Sequence, residues 1–320
     1  MAHPDTVPHP SAAPRLPQGA ELYRALLDQI DDGVYLVDRE RRIQYWNAAA
    51  ERITGYLAHE VVGRRCQSDL LMHRDEEGNL LCGEHCPLAA VIVDGQPKEC
   101  SVSLRHKNGH CLPVAVRARA LHDGAGAIVG AVEMFRSAVA PGRAAVRALE
   151  PYGCLDRSTG AVTRQYGEMQ AAQRMAEWQR FGVPMGWVRL QMEQPEDLEH
   201  RYGGGVLEAA MMLIAHTLDG NLASGDTLAR WGRTEFRIIV PGGSQAEVAD
   251  LARRLAVLVE SSNLEWWGDP LRVNVSAGSA VTERGDSLES LELRAACRAS
   301  RPVPAPARPG DQAETTFFKD

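Results

Sequence analysis

Apolar residues recur along this chain with two periods, and the switches between them lay out its elements. Leu22, Ala25, Leu26 and Ile30 repeat at helical spacing across residues 21–30. Residues 33–38 and 42–46 are short apolar runs around a charged turn and read as two strands. Asn47 is placed to cap a short helix over 48–53, because its side-chain oxygen can accept a free N–H of the first turn, and Gly55 ends that helix. Three β-rich segments follow at 100–105, 111–121 and 127–135, with turns at Asn108-Gly109 and Asp123-Gly124. Past residue 153 the pattern changes to alternating helices and strands. A helix runs to about Arg180, a strand covers 185–192, and an amphipathic helix covers 205–218. Further helices are expected over 245–259 and 287–299, with a strand at 271–278 between them. Such alternation predicts an α/β sheet with helical layers.

Between the second and third of these helices, β-prone residues lie on both sides of Gly232-Arg233, which predicts a hairpin whose tip projects from the sheet. The run Arg230-Trp231-Gly232-Arg233-Thr234-Glu235-Phe236 resembles the signature of the GGDEF family, the diguanylate cyclases, which join two GTP molecules into cyclic di-GMP. The family reads R-[WY]-G-G-[DE]-E-F there. This chain keeps Arg230, Trp231, Gly232, Glu235 and Phe236, but has Arg233 for the second glycine and Thr234 for the acidic metal ligand. Asp156, Thr159, Gly160 and Arg164 match the family's opening motif D-x-L-T-G-L-x-N-R, with Ser158 and Thr163 replacing its Leu and Asn. Residues 271–278 are similar to the family's v-t-v-S-x-G. The first half resembles a PAS sensor domain over residues 32–38, 45–51, 54–56, 62–63 and 126–132.

The fold class expected is therefore two-domain, α+β followed by α/β. It comprises a PAS domain with a five-stranded antiparallel sheet and flanking helices at 19–137, and a degenerate GGDEF-like cyclase-type domain at 154–301. A linker spans 138–153, and disordered tails are expected at 1–18 and 302–320, rich in Pro and Ala. In active relatives a continuous coiled coil joins the two domains. Pro141, Gly142, Pro151 and Gly153 break such a helix here, leaving only a short helical piece at 143–149.

The resemblance also says what the departures remove. A cyclase holds divalent ions against the GTP phosphates with hard anionic oxygens. The two family ligand positions fall on Gln191 and Thr234, both uncharged. Glu193 stands two residues on, at the family's second acidic place, and is not expected to replace Gln191. The positions that read guanine fall on Glu199 and His200, and the inhibitory product motif R-x-x-D reads Ala223-Ser224-Gly225-Asp226, without its arginine. Arg233 either binds phosphate itself or blocks the approach that a bare glycine leaves open. The reading is a signalling protein whose GGDEF-like domain is not catalytic and acts by protein contact or self-association. Beside it stand an active cyclase with a rearranged site and a GTP-binding regulator without turnover. GTP and cyclic di-GMP lose the groups that would hold them.

Composition narrows the partners. A formal net charge of -7 without a concentrated basic stripe argues against a nucleic-acid surface. No apolar run approaches the roughly 18 residues that span a bilayer, and the N-terminus lacks the apolar segment of a signal peptide. Seven cysteines, an odd count, point to a reducing cytoplasm rather than a disulfide framework. Three of them make the PAS half unusual. Cys66, His73, Cys82, His85 and Cys86 lie between Gly63 and Gly95. Thiolates and imidazoles are the soft ligands of zinc and of iron–sulfur clusters, so Cys66, Cys82, Cys86 and His73 form a candidate metal set, with Cys100 or Cys111 as a further ligand. The same cysteines also suit small core positions. The PAS resemblance implies a haem, flavin or other small-molecule ligand in the sheet, or dimerisation alone. His106 and His110 read as solvated loop residues, Trp231 and Phe236 as core, and Trp266-Trp267 as a pair divided between core and surface.

Overall fold

The computed structural model of the chain describes residues 19–67, 70–83, 85–139 and 149–300. The tails expected at 1–18 and 302–320 lie outside these, as does the helical piece at 143–149 apart from its last residue. The first domain contains α1 (Ala20–Asp28), β1 (Gly33–Asp38), β2 (Ile43–Trp46), α2 (Ala48–Thr54), α3 (Ala58–Val61), α4 (Pro87–Asp94), β3 (Lys98–Arg105), β4 (Cys111–His122) and β5 (Ile128–Ser137). Its five strands form one antiparallel sheet in the order β2-β1-β5-β4-β3. Asn47 caps α2 as expected: its Oδ1 accepts from Ala50 N and also from Val34 N, each at 2.8 Å. One buried side chain thus ties the helix start to β1. Tyr35, Trp46 and Phe135 form the aromatic centre of the core beneath.

The second domain follows a single 3-10 turn at Glu150–Tyr152. It contains β6 (Val162–Thr163), α5 (Arg164–Phe181), β7 (Met185–Met192), α6 (Pro195–Tyr202), α7 (Gly204–Gly220), β8 (Thr227–Arg230), β9 (Glu235–Pro241), α8 (Gln245–Ser261), β10 (Leu264–Trp266), β11 (Asp269–Leu271), β12 (Val275–Val281) and α9 (Leu288–Cys297). The main sheet runs β12-β7-β9-β8-β6, with β7 buried along nearly its whole length. Both its faces are covered, one by α7 and α8 through Leu207, Met211, Ile214 and Leu255, the other by α5 and α9 through Ala171, Met175, Leu291 and Ala295. Two sequence expectations need correction. The strand expected over 271–278 starts only at Val275, because Leu271 instead closes the small β10–β11 hairpin. The helix α6 was not expected, since its eight residues bury none of their own.

The two domains touch directly. The β3–β4 turn reaches the ends of α7 and α8: Asn263 N donates to Gly109 O at 3.0 Å, and Asn221 Nδ2 donates to Cys111 O at 3.3 Å. Gly109 has φ +88°, and a Cβ there would sit 1.7 Å from Asn263 O, so both conformation and approach require glycine. His106 and His110 are therefore not solvated loop residues. They stack at 4.4 Å, and His110 meets His216 of α7 edge-on. Burial first, and then the neighbouring His106 and His216, push the His110 imidazole down to about 3.

Candidate functional site

Sheet register decides what the hairpin presents. Strand β7 pairs with β9 so that Arg189 faces Arg237 and Gln191 faces Glu235. The turn 231–234 closes between β8 and β9 with Trp231 N donating to Glu235 O at 2.9 Å. Gln191 and Thr234, the two positions expected from the sequence to have lost a metal ligand, come together there: Gln191 Nε2 donates to Thr234 Oγ1 at 2.9 Å. An amide and a hydroxyl thus satisfy each other where hard cation chemistry would need anionic oxygen. The one retained carboxylate is occupied as well. Glu235 Oε1 accepts from Arg189 Nη2 and its Oε2 from Arg237 Nη2, both at 3.1 Å. Behind this pair, Glu292 on α9 accepts from Arg237 Nε at 2.9 Å, Arg237 Nη2 at 2.6 Å and Trp187 Nε1 at 2.5 Å. Arg189, Arg237 and Glu292 were not singled out from the sequence, and they carry most of the charge at this place. Phe236 is buried, as expected. Trp231 is half-buried, edge-on to Trp187 and under the guanidinium groups of Arg164 and Arg237.

The retained motif residues hold the fold. Asp156 Oδ1 accepts from Ser158 Oγ, Thr159 N, Thr159 Oγ1 and Arg230 Nη1. Arg230 also forks onto Glu208 of α7, at 2.7 and 3.0 Å. The signature arginine therefore clamps the hairpin to the opening turn and to α7. Partial burial pushes the Asp156 carboxyl upward, but hydrogen bonds from Thr159, Ser158 and Arg230 outweigh it and bring it down to about 2. A carboxylate depressed in the folded state stabilises above its unfolded value of about 3.9, and that contribution is lost as pH falls toward 2. Asp156→Asn is expected to lose about 1–2 kcal/mol at pH 7 after allowance for solvent screening. The gap to the parent chain should shrink in urea melts at pH 3; an equal gap at both pH values would remove this role.

The remaining family positions are similarly engaged. Arg233, 66% exposed, pairs through Nη2 with Glu199 of α6, so the hairpin tip is pinned to α6. Asp226 is buried and caps its own turn, accepting from Ala223 N at 2.9 Å. A cavity of about 210 Å³ opens at the end of β7 between Glu193, Asp197, Arg201 and Arg272, and none of residues 232–236 lines it. Trp266 packs over Gly205, whereas Trp267 is 91% exposed at the hairpin tip.

The cysteine-bearing segment of the first domain folds against its sheet. Cys66 and Cys86 are buried, and Cys82 Sγ accepts from His73 N at 3.2 Å. Burial raises the Cys66 and Cys82 thiols, the latter to about 12, and electrostatic contact with Cys86 and Glu133 adds to both. Glu133, from β5, joins this group without having been foreseen. Burial raises its carboxyl to about 8 and lowers His73 to about 4. Among the described residues, no three His, Cys, Asp or Glu side chains converge closely enough to hold a metal ion as they stand. No described helix is long and apolar enough to cross a membrane.

Comparison with known proteins follows this division. Residues 21–137 match the family "PAS fold", and residues 154–299 match "Diguanylate cyclase, GGDEF domain". The chain is 23% identical over 270 residues to the probable diguanylate cyclase DgcE of Escherichia coli, which covers 83% of this chain and 24% of that protein. It is 25% identical over 140 residues to the diguanylate cyclase DgcP of Pseudomonas aeruginosa, covering 44% of this chain and 21% of that one. The chain thus spans about a quarter of the length of the curated relatives it matches. Among solved structures, the GGDEF domain of DgcB from Caulobacter crescentus aligns at 22% identity with a TM-score of 0.43, over 45% of this chain and 84% of that one.

Proposed function

From a chain in which a PAS domain precedes a GGDEF domain, we propose a signalling protein whose GGDEF domain does not make cyclic di-GMP and acts through protein contact or self-association. The observation that carries this reading is the closed polar network at the hairpin. Gln191 and Thr234 bond to each other, and Glu235 is neutralised by Arg189 and Arg237. Joining two triphosphates requires divalent cations that draw off developing charge, and the protein's part is to fix those cations. Here the fixed positive charge is guanidinium, anchored from behind by Glu292. With two guanidiniums balancing two carboxylates, no net negative charge is left to seat a metal ion.

Arg233 supports the same reading from the outside, because it stands where the family has a bare glycine and is paired with Glu199. The test is incubation of the purified chain with GTP and Mg²⁺ or Mn²⁺, followed by chromatographic analysis for cyclic di-GMP. No product is expected, and Glu235→Ala should change nothing. Product that appears with the parent chain and vanishes in Glu235→Ala would reverse the reading. Stabilisation by GTP without product would replace protein contact with nucleotide sensing.

A further inference from the structure

Buried polar atoms without hydrogen-bond partners are rare, because each forfeits its solvation for nothing. Four of the seven such side-chain atoms among the described residues belong to Arg41, Gln67, His73 and Glu133. All four residues sit in one region of the first domain. His73 Nε2 faces Glu133 Oε1 at 3.6 Å, with His73 7% exposed and Glu133 2% exposed. That separation is too long for a hydrogen bond. It is close to the roughly 3.4 Å that separates two N and O ligands of one tetrahedral zinc ion at bond lengths near 2.1 Å. Cys66 and Cys82 lie within electrostatic reach of Glu133. Cys82 is bonded to the His73 backbone, Cys66 is tied by its N–H to Arg41 O at 3.0 Å, and Cys86 lies within electrostatic reach of both. The backbone is strained at the edges of this region, with φ +60° at Arg41 and +48° at Met72.

We propose that this cluster is a zinc site, in which one Zn²⁺ is held by His73 Nε2, a Glu133 carboxylate oxygen, the Cys82 thiolate and a second thiolate from Cys66 or Cys86. The thiols stand apart without the ion, but a change of staggered rotamer swings a cysteine sulfur by about 3 Å with no backbone movement. Each thiol, and the Glu133 carboxyl where it is protonated, passes its proton to solvent as its bond to zinc forms. Charge supports this donor number. Two thiolates and one carboxylate leave Zn²⁺ at net minus one, and the Arg41 guanidinium, whose Nη1 has no hydrogen-bond partner and which lies within electrostatic reach of Cys66 and Cys82, offsets it. A carboxylate and an imidazole facing each other across a single-ion gap also favour zinc over an iron–sulfur cluster, whose ligands are mainly thiolates.

The test uses the full chain, purified without chelator, with metal analysis and titration of the stripped protein by Zn²⁺ and by Co²⁺ as an absorbing probe. About one zinc per chain is expected, with thiolate-to-cobalt absorption in the Co²⁺ form. Stripping should lower the melting temperature, and zinc should restore it. Cys82→Ser and His73→Ala should lose stoichiometric zinc, Glu133→Gln should weaken it at least about tenfold, and the exposed Cys297→Ser should match the parent. Where Cys82→Ser fails to fold, Glu133→Gln and reconstitution of the parent chain decide. A folded parent chain that takes up neither ion overturns the site, as does unchanged affinity in Glu133→Gln or the absorption of an iron–sulfur cluster after anaerobic purification. None of these readouts involves GTP, so this proposal and the inactivity of the second domain stand or fall separately.

Discussion

Replacing Glu292 by alanine is expected to destabilise the second domain by about 3 kcal/mol, the lower end of the range for stranding one partner of a buried ion pair, because Glu292 itself is 31% exposed. Arg237 is only 3% exposed and places two nitrogens on Glu292, while the indole of the fully buried Trp187 donates to the same carboxylate. Removing it leaves a buried cation short of an anion and a buried N–H without an acceptor. Glu235 cannot absorb the loss, because it already serves Arg189 and Arg237 together. Glu292→Gln keeps one carbonyl acceptor and should lose less, roughly 1.5–3 kcal/mol, the usual range for a hydrogen bond to a charged group. Urea melts followed by tryptophan fluorescence measure both. A loss below about 1 kcal/mol for the alanine variant would mean that water replaces the carboxylate and that the network is loose.

That network also marks where sequence reading stops. The hairpin was legible because it is local: β-prone residues on either side of Gly232 become β8 and β9, and strand 185–192 is found at its expected bounds. Gln191 and Thr234 were legible as departures because they fill motif positions, and the structure does bring them together. Their surroundings were not. Whether Arg189 meets Glu235 depends on the register of β7 against β9, and Glu292 comes from a helix a hundred residues further on. No spacing along the chain encodes either contact.

The first domain shows the same division. Its strands follow from turns and apolar runs, whereas Glu133 joins the cysteines only through the sheet. One signal was available. Ala131, Glu133 and Phe135 share parity on β5 and are all buried, so a carboxylate alternating with core residues had to point inward. The histidines at 106 and 110 carried no such signal, because a polar turn looks the same in sequence whether it meets water or another domain.

If Arg189 holds the positive charge that a metal ion would otherwise bring, then restoring carboxylates alone should not restore a cation site. In Gln191→Asp/Thr234→Asp the two acids would replace groups now 2.9 Å apart, close enough that like charges raise one another's pKa. Arg189 Nη2, already 3.2 Å from Gln191 Oε1, would pair with the new Asp and supply the missing cation internally. The double variant is therefore expected to melt within a degree or two of itself with and without Mn²⁺. Adding Arg189→Val removes the competitor and leaves two facing carboxylates beside Glu235, an oxygen-rich site suited to a hard divalent ion. That triple variant should be less stable in chelator, by about 1–2 kcal/mol of like-charge repulsion across the strands. Mn²⁺ at about a hundred times its Kd should stabilise it by about 2.7 kcal/mol. Thermal melts with and without Mn²⁺ measure both shifts. Should the double variant respond to Mn²⁺ as strongly as the triple, Arg189 is a bystander and the loss of cation binding rests on Gln191 and Thr234 alone. A triple variant deaf to Mn²⁺ would place the obstruction elsewhere, with the Arg233–Glu199 bridge next to be cut.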